Sequence, residues 1–198
     1  MKLVLATLNP GKIAELKTLL AGLPLALVPL AAYPEYSPPE ETGRTLEENA
    51  ALKAEAVARF TGLWALADDS GLEVDALGGR PGVFSARYAG EDADDKKNNA
   101  KLLIELAGVA ASERTARFRT VIALAHPGQP TRFAEGVCEG LIALEPRGES
   151  GFGYDPLFYY PPAGKTFAEM LPAEKNKISH RAKALQAARE LLQQLAGM

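Results

Sequence analysis

The stretch WALADDSGLEVDALGG (64–79) decides how this chain is read. An apolar run from Trp64 to Ala67 meets two adjacent carboxylates, Asp68 and Asp69, and a second segment with alternating apolar residues follows Ser70 and Gly71. The run predicts a buried strand that ends at the aspartates. Two like charges side by side at the lip of such a strand repel each other, and a bound cation would relieve that repulsion. Carboxylate oxygens suit a hard cation such as Mg2+, and one of the pair can serve as, or sit beside, the base that activates water. An acidic turn, with Asp and Ser satisfying local backbone donors, explains the same residues without chemistry. The repulsion favours the functional reading.

Outward from this stretch, KLVLA (2–6) reads as a buried strand that turns at Asn9-Pro10-Gly11 into an amphipathic helix, KIAELKTLLAGL. LALV (25–28) suggests a second strand, and residues 31–44, rich in Pro and Glu, a loop. Thr45-Leu46-Glu47-Glu48 matches a capping box opening a helix through about Phe60. A glycine-containing loop is expected over 78–91 and a helix over 92–107, opening in an acidic turn. Residues 115–126 and 132–144 read as long strands, antiparallel neighbours across HPGQP. A glycine-rich loop, GESGFGYDP, comes next, and SHRAKALQAARELLQQLAG (179–197) closes the chain as an amphipathic helix. Strands and helices mix without strict alternation, which predicts an α/β arrangement on a mixed sheet.

A length of 198 residues favours one domain, or one domain with two lobes, and 47% hydrophobic with 24% charged residues is ordinary for a globular chain with a sizeable core. A net charge of −3 argues against a general nucleic-acid surface. The lone Cys138 excludes an internal disulfide and a multi-cysteine zinc site, and reads as a small buried hydrophobe. No secretion signal or membrane span is visible, so the expected location is cytoplasmic.

Three further motifs accompany the aspartate pair. Thr7, Leu8, Asn9, Pro10, Gly11 and Lys12 form a glycine-containing turn at a helix start, able to offer backbone N–H groups and a point charge to an anion. The Walker A spacing is absent, and an ordinary strand-to-helix turn is the competing account. Glu48, Asn49 and Lys53 lie near one another on a helix that a solvated face would explain equally well. Finally, GFGYDP (151–156) and EKNKISHR (174–181) combine glycines, the aromatic faces of Phe152 and Tyr154, and the donors Lys175, Lys177, His180 and Arg181. A helix start capped by Ser179 accounts for the second segment, but the macrodipole disfavours cations there, so a bound anion or an electron-rich base edge is the better explanation. Phosphate donors, a metal site, aromatic surfaces and a base-reading cluster together describe a nucleoside triphosphate pocket.

The segments LATLNPGK, EETGRTLEENAALKA, ADDSGLEVDALGGRPGVFSARYAG, DKKNNAKLL, GFGYDPLF and EKNKISHRAKAL, in this order, closely resemble the inosine triphosphate pyrophosphatase family. The resemblance covers the whole chain. It implies an elongated two-lobed fold, with a long central mixed sheet flanked by helices and the nucleotide in a cleft between lobes. It also implies a homodimer and a Mg2+-dependent split of non-standard purine nucleoside triphosphates (ITP, dITP, XTP) into the monophosphate and pyrophosphate. By resemblance, Asp69 is proton acceptor and metal ligand, Asp68 supports it, and Glu40 or its neighbour Glu41 is a second metal ligand. Lys12 and Lys53 neutralise phosphate charge, while Asn9 and Ser70 contact substrate. Phe152 stacks on the base, with Gly153, Tyr154, Asp155 and Lys175 around it. His180 and Arg181 donate to the O6 acceptor that hypoxanthine and xanthine carry where adenine has an amino donor. A pyrophosphatase of other modified nucleotides is the alternative. No nucleic-acid or membrane partner is expected.

Overall fold

The computed structural model describes residues 1–196, and of Leu19 and Ala196 only the backbone. The end expected for the closing helix, at Gly197, lies outside the described residues. An eight-stranded mixed sheet carries five α-helices.

Strand β1 (Lys2–Leu5) lies between β2 (Ala26–Pro29) and β3 (Trp64–Val74), parallel to both. Its register against β3 sets Leu3 opposite Trp64, Val4 opposite Ala65 and Leu5 opposite Leu66. The short β4 (Pro81–Gly82) pairs antiparallel with β3. Beyond β3 come β5 (Thr115–Ala125) and β6 (Arg132–Ile142), adjacent as expected, then the antiparallel β7 (Phe158–Tyr160) and β8 (Lys165–Thr166). The helices are α1 (Pro10–Leu19), α2 (Leu46–Thr61), α3 (Asp95–Glu105), α4 (Pro172–Ile178) and α5 (His180–Ala196). Proline opens α1, where its missing N–H is no loss, and Asn9 caps it by accepting from the Lys12 backbone N–H at 3.1 Å.

The chain forms two compact units. The first holds residues 1–69, 120–136 and 181–198, the second residues 70–119 and 137–180. In the first, Leu3, Leu5 and Leu66 of the sheet bury against Leu16 of α1, its C-cap Leu20, and Ala184, Leu185, Ala188 and Leu192 of α5. The α5 residues recur at helical spacing, the stripe that makes the helix amphipathic. In the second, Leu72, Phe118, Cys138, Ile142 and Phe158 form a core with Leu102 of α3 and Phe167. Cys138 is fully buried, as a small hydrophobe should be. No helix among the described residues is long and apolar enough to cross a membrane.

Two expectations change. Strand β3 does not stop at the aspartates but runs through them to Val74. The basic segment before the last helix is itself a short helix, α4, and Ser179 is its C-cap. Lys175 and Lys177 thus occupy a last helical turn, where the macrodipole favours cations, so the charge anomaly inferred from the sequence disappears for both.

Candidate active site

Because β3 continues through Asp68 and Asp69, their side chains leave opposite faces of the sheet. Asp68 follows Leu66 onto the face covered by α1 and α5. There Asp68 Oδ2 receives Lys12 Nζ at 2.9 Å and Arg181 Nε at 3.4 Å, and Arg181 Nη1 also donates to Glu15 Oε2. Asp69 faces α2 instead. Lys53 Nζ donates to Asp69 Oδ1 at 2.7 Å and pairs with Glu41 Oε1 at 3.2 Å, while Asn49 Nδ2 reaches Asp69 Oδ2 at 3.5 Å. The repulsion expected between neighbouring carboxylates is thus resolved by separation across the sheet, each side chain having its own cation.

Local sequence explains how Glu41 arrives. Thr45 caps α2 by accepting from the Glu48 N–H at 3.1 Å, and Glu48 Oε2 takes the N–H of Arg44, one residue before the partner a strict capping box would give it. Asn49 Oδ1 accepts the Gly43 N–H at 2.8 Å. A Cβ on Gly43 would collide with that oxygen, so only glycine lets the loop lie this close to α2. Residues 43 and 44 are thereby tied to the helix, and Glu41 is delivered to Lys53. Asn49 is the residue whose role the sequence reading missed, because its partners Gly43 and Asp69 lie outside its own helix.

The two charge sets differ in sum. Lys12 and Arg181 balance Asp68 and Glu15, whereas Asp69 and Glu41 share the single ammonium of Lys53 and leave one negative charge over. Burial raises the proton affinity of Asp68, but Lys12 and Arg181 outweigh it and hold the carboxyl well below the usual range. At Asp69 burial dominates, Lys53 offsets it only in part and Glu41 repels, so this carboxyl lies above its ordinary value. Burial works against charge on Lys53, yet Asp69 and Glu41 keep its ammonium more firmly protonated than usual.

No group of three or more metal-ligating His, Cys, Asp or Glu forms among the described residues. Mg2+ is commonly held by one or two carboxylates and substrate phosphates rather than by an all-protein cage. Asp69 and Glu41, hard oxygen donors with an uncompensated charge, fit it. Glu40, expected by resemblance as the second ligand, and its neighbour Glu41 are both exposed, and it is Glu41 that meets Lys53.

The aromatic and donor residues of the second unit form their own assembly. Lys175, 7% exposed, donates to Asp155 Oδ2 at 2.7 Å and lies 5.0 Å from the Phe152 ring centroid. Asp155 Oδ2 also accepts the Phe152 N–H at 3.0 Å, and Tyr154 Oη donates to the Ser85 carbonyl at 2.7 Å. Phe152 remains 39% exposed, which leaves a ring face available for stacking. His180 is buried and stacked on Phe118 at 4.6 Å. The structure therefore brings Lys12, Asp68 and Arg181 together, and Lys53 with Asp69. It also joins Phe152, Asp155 and Lys175. In the turn, Thr7 Oγ1 accepts the Asn9 N–H, Leu8 is exposed, and Pro10 and Gly11 begin α1. Ser70 continues β3 just past Asp69.

Known proteins resemble the chain along its length. A family model described as the Ham1 family matches residues 3–191. A dITP/XTP pyrophosphatase of Desulforamulus reducens is 57% identical over 98% of this chain and 97% of its own. One of Bacillus subtilis is 53% identical over 96% of each. Among solved structures, a HAM1 protein from Coxiella burnetii superposes with a TM-score of 0.90 at 46% identity, covering all of both chains. A nucleoside-triphosphatase / dITP/XTP pyrophosphatase from Mycobacterium abscessus gives 0.80 at 44%, covering 97% of this chain and all of its own. By sequence along nearly its whole length and by fold, the chain belongs to the Ham1 family.

Proposed function

We propose that the protein hydrolyses non-standard purine nucleoside triphosphates, dITP, ITP and XTP, to the monophosphate and pyrophosphate. The relatives named dITP/XTP pyrophosphatase, more than half identical over nearly the full chain, support the reaction and the substrate class. The observation that carries the mechanism is the pair of carboxylates, Asp69 and Glu41, on the one ammonium of Lys53.

Water attacks phosphorus at the α–β bridge, a new P–O bond forms, and the bridging P–O bond breaks to release pyrophosphate. Asp69 takes the water's proton; its raised proton affinity suits a base better than an ordinary carboxylate would. Lys53, kept protonated, holds Asp69 in place and offsets charge on the phosphates. Asp69 and Glu41 would hold Mg2+, which supplies charge neutralisation on the phosphoryl oxygens when bound. Lys12 and the Thr7–Gly11 turn bind phosphate, with Asn9 and Ser70 contacting the substrate, and Asp68 keeps Lys12 and Arg181 in place. Phe152 stacks on the base, flanked by Gly153, Tyr154 and Asp155. Lys175 completes that wall, His180 and Arg181 supply donors to O6, and a site built on such pairing rejects adenine's amino group by roughly 10⁴-fold. A cytosolic location and a homodimer complete the proposal; the homodimer rests on the family resemblance.

The test is product identity. With Mg2+, ITP and XTP should yield pyrophosphate while ATP and GTP yield little. Orthophosphate in its place would mean attack at the terminal phosphate and would remove Asp69 from its assigned role.

A further inference from the structure

The motif DKKNN, at the start of α3, contains no residue assigned above to phosphate, metal or base. We infer that Asp95 and Asn99 on α3 position the loop that carries the base-stacking ring, by gripping both polar groups of Gly153. This rests on the proposal that Phe152 stacks on the base.

The Gly153 N–H donates to Asp95 Oδ2 at 2.7 Å, and the Gly153 carbonyl accepts from Asn99 Nδ2 at 2.9 Å. Asp95 and Asn99 are four residues apart and so lie on one helix face. Asn99 Nδ2 spends its other hydrogen on the Asp95 carbonyl at 2.8 Å, which fixes the amide to its own helix. Gly153 adopts φ +63°, a backbone state that glycine enters without strain and other residues rarely do, and in it the N–H and the carbonyl both meet α3. Phe152 immediately precedes this gripped peptide, and its own N–H is taken by Asp155. The ring is thus presented from a backbone held on both sides.

Stability alone does not explain Asn99. Its Oδ1 is buried and has no hydrogen-bond partner among the described residues. A buried acceptor left unmade is destabilising, and an apolar side chain of similar volume would avoid it. What only the amide provides is the pair of donors, one of them committed to the loop. The neighbouring Asn98 holds a different segment, donating to Ala86 O and accepting from the Ala89 N–H.

The experiment uses Asn99→Leu, Asp95→Ala and Asp95→Asn, with kcat and KM for ITP, the inhibition constant of pyrophosphate (a product with no base) and the melting temperature measured for each. Asn99→Leu and Asp95→Ala should raise KM for ITP about tenfold with kcat within about threefold of wild type and pyrophosphate inhibition unchanged. Asp95→Asn should stay near wild type, because its amide oxygen still accepts the Gly153 N–H. Because Asp95 is exposed, Asp95→Ala reports even if Asn99→Leu does not fold. Unchanged KM in a folded variant, or KM and pyrophosphate inhibition weakening together, would overturn the inference. A wild-type enzyme inactive on ITP would instead overturn the proposed function, and the positioning role with it.

Discussion

Asp68 and Asp69 are adjacent, and Asp68→Asn and Asp69→Asn should fail in different ways. Asp68 is 3% exposed and is held by Lys12 at 2.9 Å and Arg181 at 3.4 Å. The amide keeps the shape and removes the charge that Lys12 and Arg181 both meet, while Arg181 retains Glu15. Breaking a buried ion pair from one side costs about 3–5 kcal/mol, and Lys12 can turn partly to solvent, so we take the lower end, about 3 kcal/mol. For a chain of this length each kcal/mol moves the melting temperature by about 2–4 °C, which gives a fall of about 6–12 °C. The sign with pH follows from the depressed carboxyl: its contribution is complete above the ordinary carboxylate range and is lost only as pH falls through the lower folded value. The gap between wild type and Asp68→Asn should therefore be full at pH 7 and shrink below about pH 4. Calorimetry over pH 3–8 measures it. An Asp68→Asn variant that melts with wild type at pH 7 would refute the assignment of the buried network to Asp68.

Asp69→Asn should leave melting within a few degrees of wild type, because Lys53 keeps Glu41, while kcat for ITP falls about 10²–10⁴-fold; retained turnover would show that the base lies elsewhere. Gly43→Ala should push the loop away from Asn49 and raise the Mg2+ concentration for half-maximal rate about tenfold, read from a metal titration at saturating ITP. In metal-free protein, carboxyl NMR should show Asp69 titrating above the ordinary value of about 3.9, with Asp68 still ionised where Asp69 is protonated. The reverse order would contradict the division of roles between them.

The elements that were legible beforehand have strong local signals. The Thr45 cap, the apolar stripe of the last helix and the run of β5 each show in a window of a few residues. What the sequence hid depends on distant partners. Two carboxylates look like a strand end until their cations are known, and Lys53 and Arg181 lie 16 and 113 residues from the aspartates they meet. The same holds for α4: proline at its first position was a start signal, but at seven residues its periodicity is too short to separate from the helix after it. For the site, residue types were readable and groupings were not. Nothing in the spacing told that Asn49 would bind both Gly43 and Asp69, or that Glu41 rather than Glu40 would reach Lys53.

The alternation at Asp68 and Asp69 makes catalytic identity a matter of parity. Neither aspartate differs from the other chemically; each acquires its behaviour from the side of the ribbon on which it falls. With β3 locked to β1 by Leu3 against Trp64, removing one residue between Trp64 and Ala67 would carry Asp69 into the Lys12–Arg181 network and set Ser70 before Lys53. Both aspartates would remain in the strand, but Lys53 would face a serine and the proposed base would be gone. A frame shift of 3.3 Å along one strand is thus enough to exchange the proposed proton acceptor for a structural anchor.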